Sequence, residues 1–262
     1  MKSMRHPALA LGLLVGYLFA FPGSGFAQGD EIQVYDGGLA PKGVFNLTVH
    51  NNFTPRGLKT PAFPGSITSD KSLNGVPEWA LGVTNWFEAG LYMPLYSVDK
   101  DLGAKFDGFK LRALFAVPKA EERTFFYGVN FEFSVNAKNW DERRITSEIR
   151  PIVGWHINKV DVVFNPIVDT NYTGGIKNLE FVPSERVAYN LSSAWAVAIE
   201  EYADYGHFRK LMPARDQAHQ IFAVFDHSGK AVDVEFGAGV GLNSASDRFT
   251  LKLILSRDLN RR

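Results

Sequence analysis

The chain contains no cysteine, and its 28 basic side chains are cancelled by 28 acidic ones. The first absence excludes disulfide staples, thiolate metal sites, a cysteine nucleophile and a bacterial lipoprotein anchor. The second removes the broad electrostatic case for nucleic acid, whose polyanionic backbone selects basic proteins. Long apolar runs are also scarce: after the first 27 residues none approaches the roughly 20 residues that a spanning helix needs. No histidine spacing matches a zinc helix and no glycine-rich loop follows a strand and opens a helix, so no metal or other cofactor is expected. What is abundant is Phe (21 residues), with 9 Tyr, 5 Trp, 24 Gly and 13 Pro, a composition that leans toward β-structure.

Residues 1–27 read as a secretory signal peptide. Lys2 and Arg5 make a positive start, Ala8 to Phe21 is apolar, Pro22-Gly23-Ser24 breaks the run, and Gly25 and Ala27 suit cleavage after Ala27. The exported chain then begins at Gln28, with 28–43 as a lead-in and the rest of 28–262 as one domain. Any membrane it occupies is spanned without helices.

The dominant pattern downstream is alternation. In FFYGVNFEFSVNA, Phe125, Tyr127, Val129, Phe131, Phe133 and Val135 share one face, and Asn130, Glu132, Ser134 and Asn136 the other. The same test predicts twelve strands, at 44–53, 77–85, 87–97, 107–117, 125–137, 143–156, 160–171, 179–190, 194–205, 218–226, 231–242 and 248–258. Four are weakly phased: three carry Pro94, Pro166 or Pro183, and 218–226 mixes His219, Gln220 and Phe222. The connections alternate long and short, as an outer-membrane barrel with short periplasmic turns and longer outer loops requires. Trp79, Trp86, Trp155, Trp195, Tyr189 and Tyr205 fall near strand ends, where interfacial girdles form. Alternation does not by itself say which face is outside. A soluble β-sandwich or a lipid-binding barrel with its apolar face inward is the competing architecture, but the repeated charges of both signs on the polar face favour lipid outside. The expected fold class is therefore all-β, a single antiparallel transmembrane β-barrel of about twelve strands in a Gram-negative outer membrane.

The segments EIQVYDGG, GVFNLTVHNNF and WALGVTNWFEAGLYMPLY resemble those of the outer-membrane proteins grouped under the "MetA-pathway of phenol degradation" and related porin-like barrels. The resemblance implies a barrel that admits small, aromatic or hydrophobic molecules, and it implies no catalytic residue. One departure stands out. Such barrels commonly close on a strand with a terminal aromatic that the barrel assembly machinery reads, whereas FTLKLILSRDL here runs into Asn260-Arg261-Arg262.

Assigned by phase, Lys110, Arg112, Glu132, Arg144, Glu148, Arg150, Asp169, Arg186, Glu200, Asp204, Asp233, Glu235 and Lys252 point into the lumen. Adjacent strands can pair Glu132 with Arg144, or Glu148 with Arg150 and Arg112, across neighbouring rows. The set is nearly neutral, so an ion filter, which needs a surplus of one sign, is not expected. A lipid hydrolase needs Ser and His in contact at the outer rim on the lipid side. Of the histidines only His219 phases outward, with no serine at its height, so no enzyme is expected. The longest loop, from Thr54 to Val76, can fold into the mouth, and GHFRKLMPARDQA, with Arg209, Lys210 and Arg215, suits contact with lipopolysaccharide. The expected function is passive passage or lumen binding of small molecules. The alternatives are a structural or surface-interaction barrel with a closed lumen and, further off, a hydrolase.

Overall fold

The computed structural model describes residues 31–100 and 103–260; the signal-peptide reading of 1–27 lies outside them. Sixteen β-segments follow in order: β1 Phe45–Arg56, β2 Ser72–Gly82, β3 Phe87–Tyr92, β4 Tyr96–Asp99, β5 Gly103–Phe106, β6 Phe109–Ala116, β7 Phe125–Val135 and β8 Ile145–Ile157. Then come β9 Val160–Asn165, β10 Val168–Thr170, β11 Glu180–Phe181, β12 Ser184–Asn190, β13 Trp195–Asp204, β14 Ala218–His227, β15 Asp233–Gly241 and β16 Phe249–Asp258. Twelve of them form an antiparallel ring in the order β1, β16, β15, β14, β13, β12, β9, β8, β7, β6, β3, β2. β1 closes the ring, since it pairs with β16 on one side and with β2 on the other. The remaining four segments prolong staves toward one rim: β4 pairs with β2 and β5, and β10 with β8 and β11.

The interruptions have a chemical cause. Pro94 separates β3 from β4, Pro166 separates β9 from β10 and Pro183 separates β11 from β12. A proline has no N–H to give the ladder, so the pairing lapses there and resumes beyond it. The fourth weakly phased segment behaves differently: 218–226 lies in the uninterrupted β14. Its irregularity is Phe222, which points inward and is fully buried. The connection expected from Val98 to Phe106 is also partly strand, because β4 and β5 pair from Tyr96↔Phe106 to Asp99↔Gly103.

Connections 83–86, 117–124, 158–159, 191–194 and 228–232 lie at one rim, and 57–71, 136–144, 171–179, 205–217 and 242–248 at the other. The start of β1 and the end of β16 share the rim of the shorter turns. Burial settles inside from outside. Along β7, Tyr127 is 57% exposed and Phe131 42%, whereas Asn130 is 0% and Glu132 3% exposed. The apolar face is therefore outside, which removes both the β-sandwich and the inside-out lipid binder. Aromatic rings line the outside at the short-turn rim, where Phe125 lies 5.5 Å from Trp155 and Trp195 4.9 Å from Phe225 between ring centroids.

Candidate functional site

The interior has two levels. The lower one is filled by residues 31–40, which run inside the barrel toward the short-turn rim before β1 turns up into the wall. Val34 and Tyr35 pack on Leu114, Phe126, Ile152 and Val163, and Ile32 packs on Ala188, Ala198, Phe222 and Val224. These wall residues break the polar-inside rule at the height where the segment lies, so one apolar surface covers the other. Polar contacts fix its course. Asn165 accepts from the Tyr35 N–H (2.7 Å) and donates to the Tyr35 carbonyl (3.0 Å). Arg150 Nη1 donates to the Gln33 carbonyl at 2.9 Å and Lys252 Nζ to the Ile32 carbonyl at 3.2 Å. The Tyr35 hydroxyl bonds that of Tyr92, and the Arg150 guanidinium lies 4.5 Å from the Tyr35 ring centroid.

Two buried charge networks surround the segment. In the first, Arg112 bridges Glu78 (2.6 Å) and Glu88, and Glu78 also meets His50 at 3.2 Å. Arg150 pairs with Glu148 at 2.6 Å and Lys110 with Glu132 at 3.6 Å. In the second, Lys252 meets Glu200 and Glu235 (2.6 Å), while Arg186 meets Glu200 and Asp226. Gly237 makes this possible: a Cβ there would stand 2.8 Å from the Lys252 side chain that crosses it.

Of the thirteen phased charges, Arg112, Glu132, Arg150, Glu200, Asp204 and Lys252 are buried, and Lys110, Glu148, Asp169, Arg186 and Glu235 are half-buried inside or at the mouth. The other two lie at the rims. Asp233 is exposed at the start of β15. Arg144 stands just beyond β8, donates to Asp107 at 3.0 Å and holds that exposed carboxyl below its usual range. The anticipated Glu132–Arg144 and Glu148–Arg112 pairs do not form, because Arg144 is above the wall and Arg112 is occupied by Glu78 and Glu88. Glu31, Glu78, Glu88 and Tyr35 were not anticipated. Alternation opposite Trp79 and Phe87 was signal enough for the two wall glutamates, and nothing local to Glu31 and Tyr35 says that they enter a barrel.

The upper level is a cavity of about 240 Å³ between the segment and the long-loop rim. Loop 57–71 folds over it: Ile67 N–H donates to the Asn139 carbonyl at 3.0 Å, and Asp247 accepts from the Leu58 N–H (2.8 Å) and the Ser69 hydroxyl. Its lining carries Glu132, Asp141, Glu148, Asp169, Glu180 and Asp247 against one basic residue, Lys110. The neutral count of phased charges thus conceals a vertical sorting of the bases: Arg112, Arg150, Arg186 and Lys252 are held in the networks below, and the upper lining keeps only Lys110. Burial pushes the Asp247 carboxyl up, Asp70 adding to the shift while Ser69 and the Leu58 N–H oppose it. Burial also pushes the Asp141 carboxyl up, with Glu142 adding and the Arg143 charge and N–H opposing. A raised carboxyl binds protons more readily folded than unfolded, so these two lose their charge before exposed carboxylates do as pH falls. Asp247→Ala is expected to release the loop, making 57–71 cleavable by limited proteolysis while the barrel's thermal unfolding barely moves. Unchanged cleavage would show that the clasp is not what holds the loop.

His219 does face outward, and its Nδ1 lies 2.9 Å from Glu201 and its Nε2 3.5 Å from Gln217. Ser246 reaches only the His219 backbone N–H, so among the described residues no serine hydroxyl bonds the ring. The arrangement a hydrolase needs is not assembled there.

A closed antiparallel wall, apolar outside and charged inside, defines an outer-membrane β-barrel. The chain matches no family and no curated protein, so the narrower resemblance to the phenol-degradation group has no family match behind it. Solved structures give a clear likeness of fold. The chain is similar to the COG4313 outer membrane channel from Pseudomonas putida F1, with 16% identity and a TM-score of 0.59 over 87% of this chain and 100% of that one. It is also similar to the KdgM porin, solved in complex with disordered oligogalacturonate, with 7% identity and a TM-score of 0.52 over 82% and 99% of the two chains.

Proposed function

We propose that the protein provides passive passage across the outer membrane for small molecules, entered through the cavity under loop 57–71 and closed at rest by residues 31–40. The observation that carries this reading is the layered lumen: a lined chamber lies directly above a segment held by a few hydrogen bonds and two apolar patches rather than by strand pairing. Leu58, Phe63, Ile67 and Trp140 give the chamber apolar surface, which suits solutes with an apolar or aromatic body. Export through a cleaved leader and insertion by the barrel assembly machinery, with β16 as the last strand, belong to the same reading. So does contact of lipopolysaccharide with the exposed Arg209, Lys210 and Arg215.

The filled lower lumen also favours a second reading, a structural barrel that stays closed. Osmotic swelling of liposomes carrying the full chain separates the two. Passage predicts swelling above empty vesicles for small solutes and none for solutes too large for the chamber. A heat-modifiable, folded barrel with no swelling for any solute would leave only the structural reading.

A further inference from the structure

We infer that the cavity at the long-loop rim is a binding site for small organic cations, a protonated amine carried on an apolar body. This deepens the passage reading and rests on it only in taking the cavity as that passage's mouth.

The charge is unbalanced in a specific way. Lys110 is committed to Glu132, and Arg150, which pairs with Glu148, lies below the chamber and outside its lining. Elsewhere in the lining, Asp141, Asp169 and Asp247 have no ion pair with a basic side chain among the described residues, and Glu180 meets only His207, at 3.9 Å. No arginine lines the cavity, so a carboxylate or phosphate would find no bidentate donor and a repulsive field. A lining with six carboxyl residues and one lysine favours a cation over an anion.

Beside the charge count, the lining holds polar atoms without partners, two of them on the neutral residues Asn74 and Asn139. Asn74 is 7% exposed and gives its Nδ2 to Ser72, yet its Oδ1 has no hydrogen bond. Asp169 Oδ1 is likewise shielded and unbonded, and the third such atom is Asn139 Nδ2. Two of the three are acceptors, and an ammonium brings three donors and no acceptor. A metal ion answers the geometry less well: among the described residues no three of His, Cys, Asp and Glu converge closely enough to hold one. An ammonium needs no gathered ligand set and can be met by one or two of the carboxylates spread around the chamber, whereas calcium requires six or more oxygens gathered within bonding distance. Phe63 and Trp140 supply the surface for the rest of the molecule, with their ring faces favourable to a cation.

The test uses the folded full chain in detergent micelles and three probes of one shape: benzylammonium, benzyl alcohol and benzoate, titrated by calorimetry at neutral pH and low ionic strength. Benzylammonium is expected to bind about tenfold or more tightly than either analogue. Asp141→Asn, which leaves the Asp247 clasp of the loop intact, should weaken it about tenfold and leave benzyl alcohol unchanged, and Glu180→Gln should act in the same direction. Equal binding of the three probes overturns the inference, as does calcium binding in place of the amine, or no binding by a protein whose heat-modifiable migration shows it folded. Flux is scored separately in liposomes. Discrimination without flux would sink the passage reading alone, and flux without discrimination would sink this inference alone.

Discussion

Deleting residues 31–40 is expected to raise solute flux through the reconstituted barrel by about tenfold or more, with the wall still folded. The wall's own pairing is complete without the segment, since β1 meets both β2 and β16. What the deletion removes is filling: Ile32, Val34 and Tyr35 leave the lumen, and the apolar patches around Phe126 and Phe222 become the lining of an opened path. Water entering at that height solvates Arg112, Arg150 and Lys252, which keep their carboxylate partners on the wall. The cost in stability is therefore modest beside the change in conduction. Swelling rates for the same solutes, compared with the full chain at equal protein content, check it. Equal rates would mean that the solute path lies elsewhere or that the barrel does not conduct.

Lys252→Met is expected to destabilise the barrel by about 3–5 kcal/mol, because removing one partner leaves buried charge uncompensated. Lys252 is 0% exposed, and its ammonium serves Glu200, Glu235, the Tyr202 hydroxyl (3.3 Å) and the Ile32 carbonyl. Without it Arg186 alone faces Glu200, Glu235 and Asp226, already divided among them. The temperature at which the folded band converts on a gel should fall clearly, and adding Glu235→Gln should restore most of the loss. Lys119→Met is the comparison: its pair with Glu122 is exposed, 69% and 60% on the two side chains, and such pairs contribute about 1 kcal/mol or less. A Lys252 variant as stable as the Lys119 variant would show that the second network is wet and dispensable.

The wall was legible from alternation because the barrel places every second side chain in lipid, and period two survives at each stave. The three prolines marked true breaks for the same reason that they weakened the pattern. The occupant of the lumen was not legible, although its imprint was. Along β6 the inward residues run Lys110, Arg112, then Leu114 and Ala116; along β7 they run Phe126 and Gly128, then Asn130 and Glu132. In both strands the apolar end is the short-turn end. Inward apolar residues at one height, including the Phe222 that blurred β14, call for an apolar partner inside. EIQVYDGG supplies it, but a segment that pairs with no strand leaves no periodic signal of its own. Charge sorting escaped for a related reason: a count over the whole lumen sums the levels, and only the register of the strands assigns each charge to its height.

The most direct test of closure by residues 31–40 uses the absence of cysteine in the chain, which leaves an engineered pair with no competitor. A Cβ built at Gly37 stands 3.8 Å from the Ala116 Cβ, the spacing a disulfide takes. Gly37 has φ +80°, so a side chain there is strained, and Gly37→Cys alone serves as the control. Flux is measured in one vesicle preparation carrying Gly37→Cys/Ala116→Cys, before and after dithiothreitol. The account predicts swelling near that of empty vesicles when oxidised and recovery to the single-variant rate on reduction. Equal flux in both states, with the crosslink verified by mass, would contradict it.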